Sequence, residues 1–87
     1  MPSYSIKIKP SAAKELDALS DTLFARIDRR IIALADNPRP AGCQKLKGYK
    51  DQWRIRVGDY RVMYTIDDAR LLVELTRVRH RRDVYDI

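Results

Sequence analysis

Apolar residues recur along the chain with two different spacings, which divide it into strands and helices. Residues 4–8 alternate apolar and polar side chains, and this period of two predicts a strand with one buried face. The period then changes to three or four, and Ser20 with the aspartate after it interrupts the run in a way typical of a helix start. We therefore predict a helical hairpin of residues 11–19 and 21–36, with Ser11 as the first N-cap. Its apolar face comprises Ala12, Leu16, Leu19, Leu23, Ile27, Ile31 and Leu34.

Further strands are predicted after the stretch NPRPAG, whose prolines end the second helix. A short strand is predicted at 44–46, and alternation predicts strands at 53–57 and 60–66, joined by a two-residue turn at Gly58-Asp59. The run LLVELTRV is almost continuously apolar at its start, which predicts a central strand covered on both faces.

The element order β-α-α-β-β-β-β predicts an α+β fold. Short turns between successive strands favour a small, antiparallel-rich sheet, and the helical hairpin packs on one of its faces. The chain has 87 residues, which predicts a single domain, 1–87. The position of the first strand in the sheet is left open at this point.

The hairpin around the predicted turn has one face rich in arginine. If the alternating apolar residues of 53–57 face the helices, Arg54 and Arg56 lie on the opposite face, and Arg61 joins them across the turn. We call this surface the arginine face. The last strand and the basic C-terminal segment are expected to extend it, and two lysines are expected at its rim: Arg77, Arg79, His80, Arg81, Arg82 and Tyr85, with Lys45 and Lys47 bordering them.

An anion explains such a surface better than stability does. Like charges directly opposite one another on neighbouring strands destabilise a sheet by roughly a few tenths of a kcal/mol or more per pair. A phosphate between them reverses the sign, since the guanidinium fork matches its oxygens and stays charged at any working pH. Guanidinium groups also stack on bases, so RNA suits this surface better than a membrane, which favours an amphipathic helix.

The composition narrows the class of protein further. The formal net charge is +6, which favours a nucleic acid or an acidic partner. One cysteine and one histidine exclude a disulfide framework and a zinc site built from these residues. No signal peptide, membrane span, P-loop or dinucleotide fingerprint is present, so we expect a cytoplasmic protein that needs no metal or cofactor.

His80 and Tyr85 each have two interpretations. His80 is either an exposed polar residue after the last strand or a general acid or base, since its ordinary pKa near 6.5 suits proton transfer. Tyr85 either anchors the C-terminus in the core or contacts a substrate base. One reaction fits arginines with an acid and a base and without a metal: cleavage of RNA by its own 2′-hydroxyl through a pentacovalent phosphorane.

Three segments resemble a known family. NPRPAGCQKLKG, WRIRVGDYRVMYTI and VRHRRDVYDI follow an N-terminal strand and two helices in the order and spacing of the RelE/ParE superfamily of bacterial and archaeal toxins. The resemblance covers essentially the whole chain and is strongest to the RelE side. It implies a ribosome-dependent endoribonuclease, an mRNA interferase, that cuts the messenger in the ribosomal A site. It also implies a cognate antitoxin, small and DNA-binding, which binds the toxin in a hetero-oligomer and with it represses their operon.

The resemblance also assigns roles to residues. Arg54 and Arg56 match basic positions on the strand before the turn, and Arg61 resembles the phosphate-stabilising arginine. Arg79 or Arg81 resembles a second transition-state arginine, and Tyr85 matches a tyrosine that stacks on the substrate base.

One departure from the family pattern affects the chemistry. Family members can carry lysines where this chain has Arg54 and Arg56, and an arginine cannot act as a base. We therefore expect His80 to be the base if the protein cuts RNA. Two alternatives stay open: a ParE-like inhibitor of DNA gyrase, and a catalytically inactive toxin-like protein that acts as corepressor with its antitoxin.

Overall fold

The protein folds into a five-stranded sheet with two helices against one face. The computed structural model describes residues 3–46 and 51–83. The strand order is β1-β5-β4-β3-β2; β1 runs parallel to β5, and all other neighbours are antiparallel. The predicted α+β fold is confirmed, and the first strand is placed at the sheet edge. The elements are β1 (Ser5–Ile8), α1 (Pro10–Asp17), α2 (Asp21–Ala33), β2 (Gln44–Lys45), β3 (Gln52–Val57), β4 (Tyr60–Asp67), β5 (Leu72–His80) and a 3-10 turn (Arg81–Asp83).

The two helices begin for different reasons. Pro10 occupies the first turn of α1, where its missing N–H removes no helix hydrogen bond, and Lys9 is the N-cap without a side-chain bond. The prediction that Ser11 caps this helix is wrong, because its hydroxyl donates instead to the Thr76 carbonyl at 2.9 Å. The predicted cap of α2 is confirmed: the Ser20 hydroxyl accepts the Leu23 N–H at 3.3 Å.

The second helix ends at Ala33, three residues before its predicted end. The next N–H groups bond to carbonyls only three residues back, as in Leu34 to Ile31 at 3.0 Å, so the last turn tightens away from α-helical geometry. Pro38 soon follows and disfavours further helix. No helix within the two described ranges is long and apolar enough to cross a membrane.

One continuous core lies between the helices and the sheet. Tyr64 is its largest fully buried side chain, and its hydroxyl donates to the Pro38 carbonyl at 2.7 Å. Burial is the main reason that the pKa of the Tyr64 hydroxyl lies above its ordinary value. The other buried members are Ala12, Leu16, Ile27, Ile31 and Leu34 from the helical segment and Ile55, Val57, Val62, Ile66, Val73, Leu75 and Val78 from the sheet.

A β-bulge in β5 determines which of its side chains share a face. Met63 of β4 opposes Arg77, whereas the next residue, Tyr64, opposes Leu75, so Thr76 is the extra residue. Strict alternation would put Leu75 on the same face as the arginines that follow it. The bulge instead turns Leu75 and Val78 to the helices and Arg77 to the other face. The prediction that this strand is covered on both faces is wrong, because buried residues alternate with half-buried ones.

The predicted hairpin turn is confirmed at Gly58-Asp59. Gly58 has a φ of +60°, a left-handed conformation that a side chain disfavours, and Val57 pairs directly with Tyr60 across the turn. The turn therefore determines which residues of β3 and β4 stand opposite one another on the arginine face.

Candidate functional site

Three arginines on adjacent strands form a row across the sheet. Arg61 in the middle strand pairs with Arg56 of β3 on one side and with Arg79 of β5 on the other. Because neighbouring strands lie about 4.8 Å apart, the row extends over about 10 Å at the backbone. We call these three residues the arginine row. The sequence predicted all three on one face, and the strand register confirms this placement.

A second set of residues on the same face lies two positions further from the turn along each strand. Arg54 and Arg77 flank Met63, which is only 5% exposed although it lies on the face away from the helices. We attribute its burial to the aliphatic stems of the two flanking arginines. The side-chain amide oxygen Oε1 of Gln44 accepts a hydrogen bond from Arg54. Partial burial, and secondarily the charges of nearby arginines, lower the pKa of Arg54 from its ordinary value.

The central arginine has a donor without a partner. The Nε of Arg61 is buried and makes no hydrogen bond to any residue that the structure describes. Its strand neighbours Arg56 and Arg79 carry the same charge, so they cannot accept from it. A buried donor without an acceptor destabilises a folded protein, and native structures contain few of them. The row therefore combines three like charges in register with a buried donor that no described residue satisfies.

A hollow beside the row has room for an anion. Its volume is about 180 Å³, and it is lined by Arg56, Gly58, Asp59, Tyr60, Arg61 and Arg81. Arg81 is held there by its backbone N–H, which donates to the Asp59 carbonyl at 2.7 Å, and its Nε lies 3.9 Å from the Asp59 carboxylate. By volume the hollow holds about six waters, enough for a phosphate group. Arg79 and Arg81 thus both lie near Arg61.

The sequence analysis missed Glu15, an acidic residue of α1 that reaches the arginine face. One carboxylate oxygen accepts the backbone N–H of Val78 at 2.8 Å. The other accepts from the Nε of Arg79 at 3.1 Å and lies 3.7 Å from the terminal nitrogen of Arg77. Glu15 follows Ser11 by one helical turn, but nothing in the helix pattern indicates that both contact the edge of β5.

His80 does not lie on the arginine face, contrary to our expectation. It stands opposite Tyr60, and the two rings meet edge to face with centroids 5.3 Å apart. The residue before it, Arg79, belongs to the row, and successive strand residues point to opposite faces. The Nδ1 of His80 accepts the backbone N–H of Arg82 at 3.3 Å, so His80 contacts the first residues of the 3-10 turn. His80 lines a hollow at the β5 edge together with Arg79, but neither Arg56 nor Arg61 lines it, so His80 lies apart from the centre of the row.

The remaining predicted residues divide into three groups. Lys45 pairs with Trp53, which places it on the face opposite the arginines, so the expectation that it borders them is wrong. Arg82 is exposed in the 3-10 turn next to Arg81. Lys47 and Tyr85 lie outside the described residues.

Candidates for proton transfer beside the row are few: the Asp59 carboxylate lines the adjacent hollow, 3.9 Å from the Nε of Arg81. The side chains that the register places next to the row are Arg54, Met63, Arg77 and Gln44, and none of them accepts a proton at neutral pH. Glu15 reaches the row, but donors already engage both of its oxygens. The described part of the face is therefore suited to attracting negative charge more than to moving protons.

The fold and this face together define a small basic α+β protein with a row of arginines across one face of its sheet. A family model described as the ParE toxin of type II toxin–antitoxin systems, parDE, matches residues 6–85. The chain belongs to this family, within the RelE/ParE toxin superfamily.

Similar proteins and structures come from bacteria and archaea. The chain is 30% identical to toxin RelE of Mycobacterium tuberculosis, over 94% of this chain and 86% of that protein. It is 28% identical to toxin RelG of the same organism, over 94% of this chain and 95% of that protein. The archaeal RelE–RelB complex from Pyrococcus horikoshii contains a chain with a TM-score of 0.81 and 27% identity, covering 91% of this chain and 96% of that one. The M. tuberculosis toxin–antitoxin complex RelBE2 contains a chain with a TM-score of 0.81 and 26% sequence identity. The match covers 93% of this chain and 94% of that one.

Proposed function

We propose that this toxin is a ribosome-dependent endoribonuclease that cleaves messenger RNA in the ribosomal A site without a metal. The observation that carries the proposal is the strand register that places Arg61 between Arg56 and Arg79, beside a hollow that Arg56, Arg61 and Arg81 line. A stability argument does not explain three arginines in register across a sheet, whereas a phosphate between them does.

The proposed reaction is attack by the RNA's own 2′-hydroxyl on the adjacent phosphorus. The 2′-oxygen loses its proton and bonds to phosphorus, the bond to the 5′-oxygen breaks, and that oxygen gains a proton. The products are a 2′,3′-cyclic phosphate and a 5′-hydroxyl. The pentacovalent intermediate carries more negative charge on its non-bridging oxygens than the ground state does, and preorganised guanidinium donors stabilise that charge.

Each arginine of the row contributes differently. Arg61 lies in the middle of the row and lines the adjacent hollow, where we place the phosphate. Arg56 and Arg81 line the adjacent hollow and approach the phosphate from the side of the turn. Arg79 approaches from β5. Arg54 and Arg77 extend the positive surface along the RNA backbone. None of these groups takes the 2′-hydroxyl proton, so we propose that they act on the barrier through charge and orientation.

We further propose a cognate antitoxin as partner in a hetero-oligomer, in the cytoplasm. The structures of relatives from P. horikoshii and M. tuberculosis are toxin–antitoxin complexes. The net charge of +6 favours an acidic partner segment. On α2, Phe24 is 40% and Ile32 61% exposed, which suits an apolar contact with such a segment.

A second candidate is inhibition of DNA gyrase. It is favoured by the matching family model, which describes the ParE toxin. A gyrase inhibitor needs a basic surface but no acid or base.

Induction of this chain alone in bacteria separates the two candidates. We expect growth arrest together with cuts in cellular mRNA that fall at a fixed position within codons, mapped by primer extension. An Arg61→Met variant expressed to the same level is the control and should give neither. Arrest with DNA damage and uncut mRNA would establish gyrase inhibition instead, and growth without arrest would indicate a binding protein.

A further inference from the structure

We propose that Glu15 is a positioning residue of this site, which fixes the guanidinium of Arg79, the strand partner of Arg61, and thereby acts on RNA cleavage. This inference rests on the proposed nuclease function. Glu15 is on α1, on the other side of the β5 edge from the row, and its carboxylate bonds both to the backbone of β5 and to the Arg79 side chain.

The edge of β5 explains why a helix residue is needed there. Strand β1 pairs with β5 only as far as Ile8 opposite Leu75, so among the described residues no strand pairs with the edge beyond that point. Beyond this point, side chains of helix α1 bond to the backbone of β5. The Ser11 hydroxyl donates to the Thr76 carbonyl at 2.9 Å, and Glu15 accepts the Val78 N–H at 2.8 Å. The two α1 residues are four positions apart and therefore lie on the same face of the helix.

These contacts lie at the bulge that directs the arginines. Thr76 is the extra residue of β5, and Arg77 and Arg79 follow it on the arginine face. The Ser11 hydroxyl donates to, and the Glu15 carboxylate accepts from, backbone groups of β5 that lie beyond the end of β1. The helix therefore holds the segment of β5 whose geometry places Arg79 opposite Arg61.

The second oxygen of Glu15 orients the guanidinium itself. It accepts from the Nε of Arg79 at 3.1 Å, and the side chains of Glu15 and Arg79 are 24% and 31% exposed. A guanidinium has five N–H donors, so a bond at Nε leaves the two terminal nitrogens to donate to phosphate oxygens. A side chain fixed in this way is preorganised, and small misplacements of such groups slow reactions strongly.

The charge of Glu15 makes its proposed role testable. A carboxylate beside an RNA-binding surface weakens the attraction of RNA, so removing its charge should leave RNA binding unchanged or tighter. If Glu15 positions Arg79, the same change should slow the chemical step. A residue that contributes only its charge to RNA attraction would not slow the chemical step when that charge is removed. A residue that contributes only to stability would lower the melting temperature, without slowing the chemical step while RNA binding is kept.

The test uses Glu15→Gln, which keeps an oxygen acceptor for Val78 but loses the charge that holds Arg79. Asp17→Asn is the matched control, because it makes the same charge change on an exposed residue of α1. Ribosomes with mRNA in the A site are mixed with increasing excess toxin, and single-turnover cleavage gives a maximum rate and a half-saturating concentration. We expect the Gln variant to lose on the order of 10- to 100-fold in maximum rate, with a half-saturating concentration no higher than wild type. The Asn control should stay within about twofold in both.

Two further measurements decide how Glu15 acts. In an Arg79→Ala background, Glu15→Gln should cause no additional loss of rate, because the residue through which it acts is gone. In the wild-type protein, NMR should show slower exchange of the Arg79 Nε–H with solvent than of the same group in exposed Arg29. This second measurement tests the contact even if the variant fails to fold.

The outcomes separate this inference from the function on which it rests. Cleavage by Glu15→Gln at the wild-type maximum rate overturns the role of Glu15 and leaves the nuclease in place. An equal loss in the Arg79→Ala background, or fast exchange of the Arg79 Nε–H, also overturns it. Absence of cleavage by the wild-type protein refutes the proposed function and this inference together.

Discussion

Replacing Arg61 with methionine should make the free protein more stable and the toxin inactive. Methionine is unbranched, similar in length and apolar, so it can lie over the same part of the sheet as the arginine stem. The substitution removes a buried Nε that has no acceptor among the described residues. It also removes the like-charge pairs with Arg56 and Arg79 on the two neighbouring strands.

The expected gain in stability follows from these two effects. An unsatisfied buried donor costs about 1–3 kcal/mol. Each like-charge pair across strands adds a few tenths of a kcal/mol. Arg61→Met should therefore raise the free energy of unfolding by about 1–3 kcal/mol. For a domain of this size each kcal/mol corresponds to about 4–8 °C, so the melting temperature should rise by at least about 4 °C. Loss of one preorganised donor to the transition state should slow cleavage by about 10²–10³-fold.

Urea unfolding followed by tyrosine and tryptophan fluorescence measures the stability of the wild type and the variant. Arg29→Met on the exposed side of α2 is the control, since it makes the same chemical change away from the arginine row and should alter stability by less than about 0.5 kcal/mol. Inorganic phosphate or a short RNA should stabilise the wild type more than Arg61→Met, because only the wild type offers the central donor. An Arg61→Met protein less stable than the wild type would refute the argument that this arginine is retained against stability.

Three other substitutions test separate parts of the structure. His80→Gln should leave the ribosomal cleavage rate and its pH profile within about threefold of wild type, because the imidazole lies on the other face of the sheet; a collapse of the rate would restore His80 as the base. Tyr64→Phe should lose about 1–3 kcal/mol in urea unfolding by leaving the Pro38 carbonyl unpaired, with the cleavage rate unchanged in folded protein; an unaltered stability would contradict the hydrogen bond. The hydrogen bond from Arg39 is the main cause that lowers the pKa of Asp68 in the folded protein. The ionised Asp68 carboxylate therefore stabilises the fold above the ordinary aspartate pKa of about 3.9, and this stabilisation is lost as the pH falls through the lowered pKa of the folded state. The stability difference between wild type and Asp68→Asn should accordingly shrink as urea unfolding is repeated at lower pH, and a difference that grows below pH 4 would contradict this sign.

Most of the fold is present in the local sequence pattern. Alternation predicted β3 and β4, and the period of three to four predicted both helices, because each of these elements buries one face against a single core. The break at Ser20 was visible because a helix cap needs a particular side chain. The pairing of β1 with β5 was not predictable in the same way, since a parallel neighbour is chosen by tertiary packing and leaves no mark in the strand itself.

Local sequence pattern also predicted one part of the candidate site, the pairing of β3 with β4. The turn at Gly58-Asp59 sets the register of β3 and β4, so the opposition of Arg56 and Arg61 followed from the sequence. The bulge at Thr76 did not, because it depends on how two strands pair. The role of Glu15 depends in turn on the packing of α1 along that strand.

The position of His80 shows how strongly the chemistry depends on one residue of register. Adjacent residues on a strand face opposite sides, so a basic segment does not form a basic surface as a whole. Arg79 belongs to the row, whereas His80 packs against Tyr60. The structure therefore moves the question of proton transfer away from this histidine and leaves the arginines as a site for charge stabilisation.

The central claim is that the arginine row stabilises the transition state of 2′-hydroxyl attack on ribosome-bound RNA. The most direct measurement compares cleavage of two mRNAs on purified ribosomes: one with ribose throughout, and one with a single 2′-deoxynucleotide at the attacking position in the A site. We predict that the wild-type toxin cuts the first mRNA, leaves the second intact at that position, and binds both ribosome complexes equally. Failure to cut the ribose mRNA, or equal cutting of both, would contradict the claim.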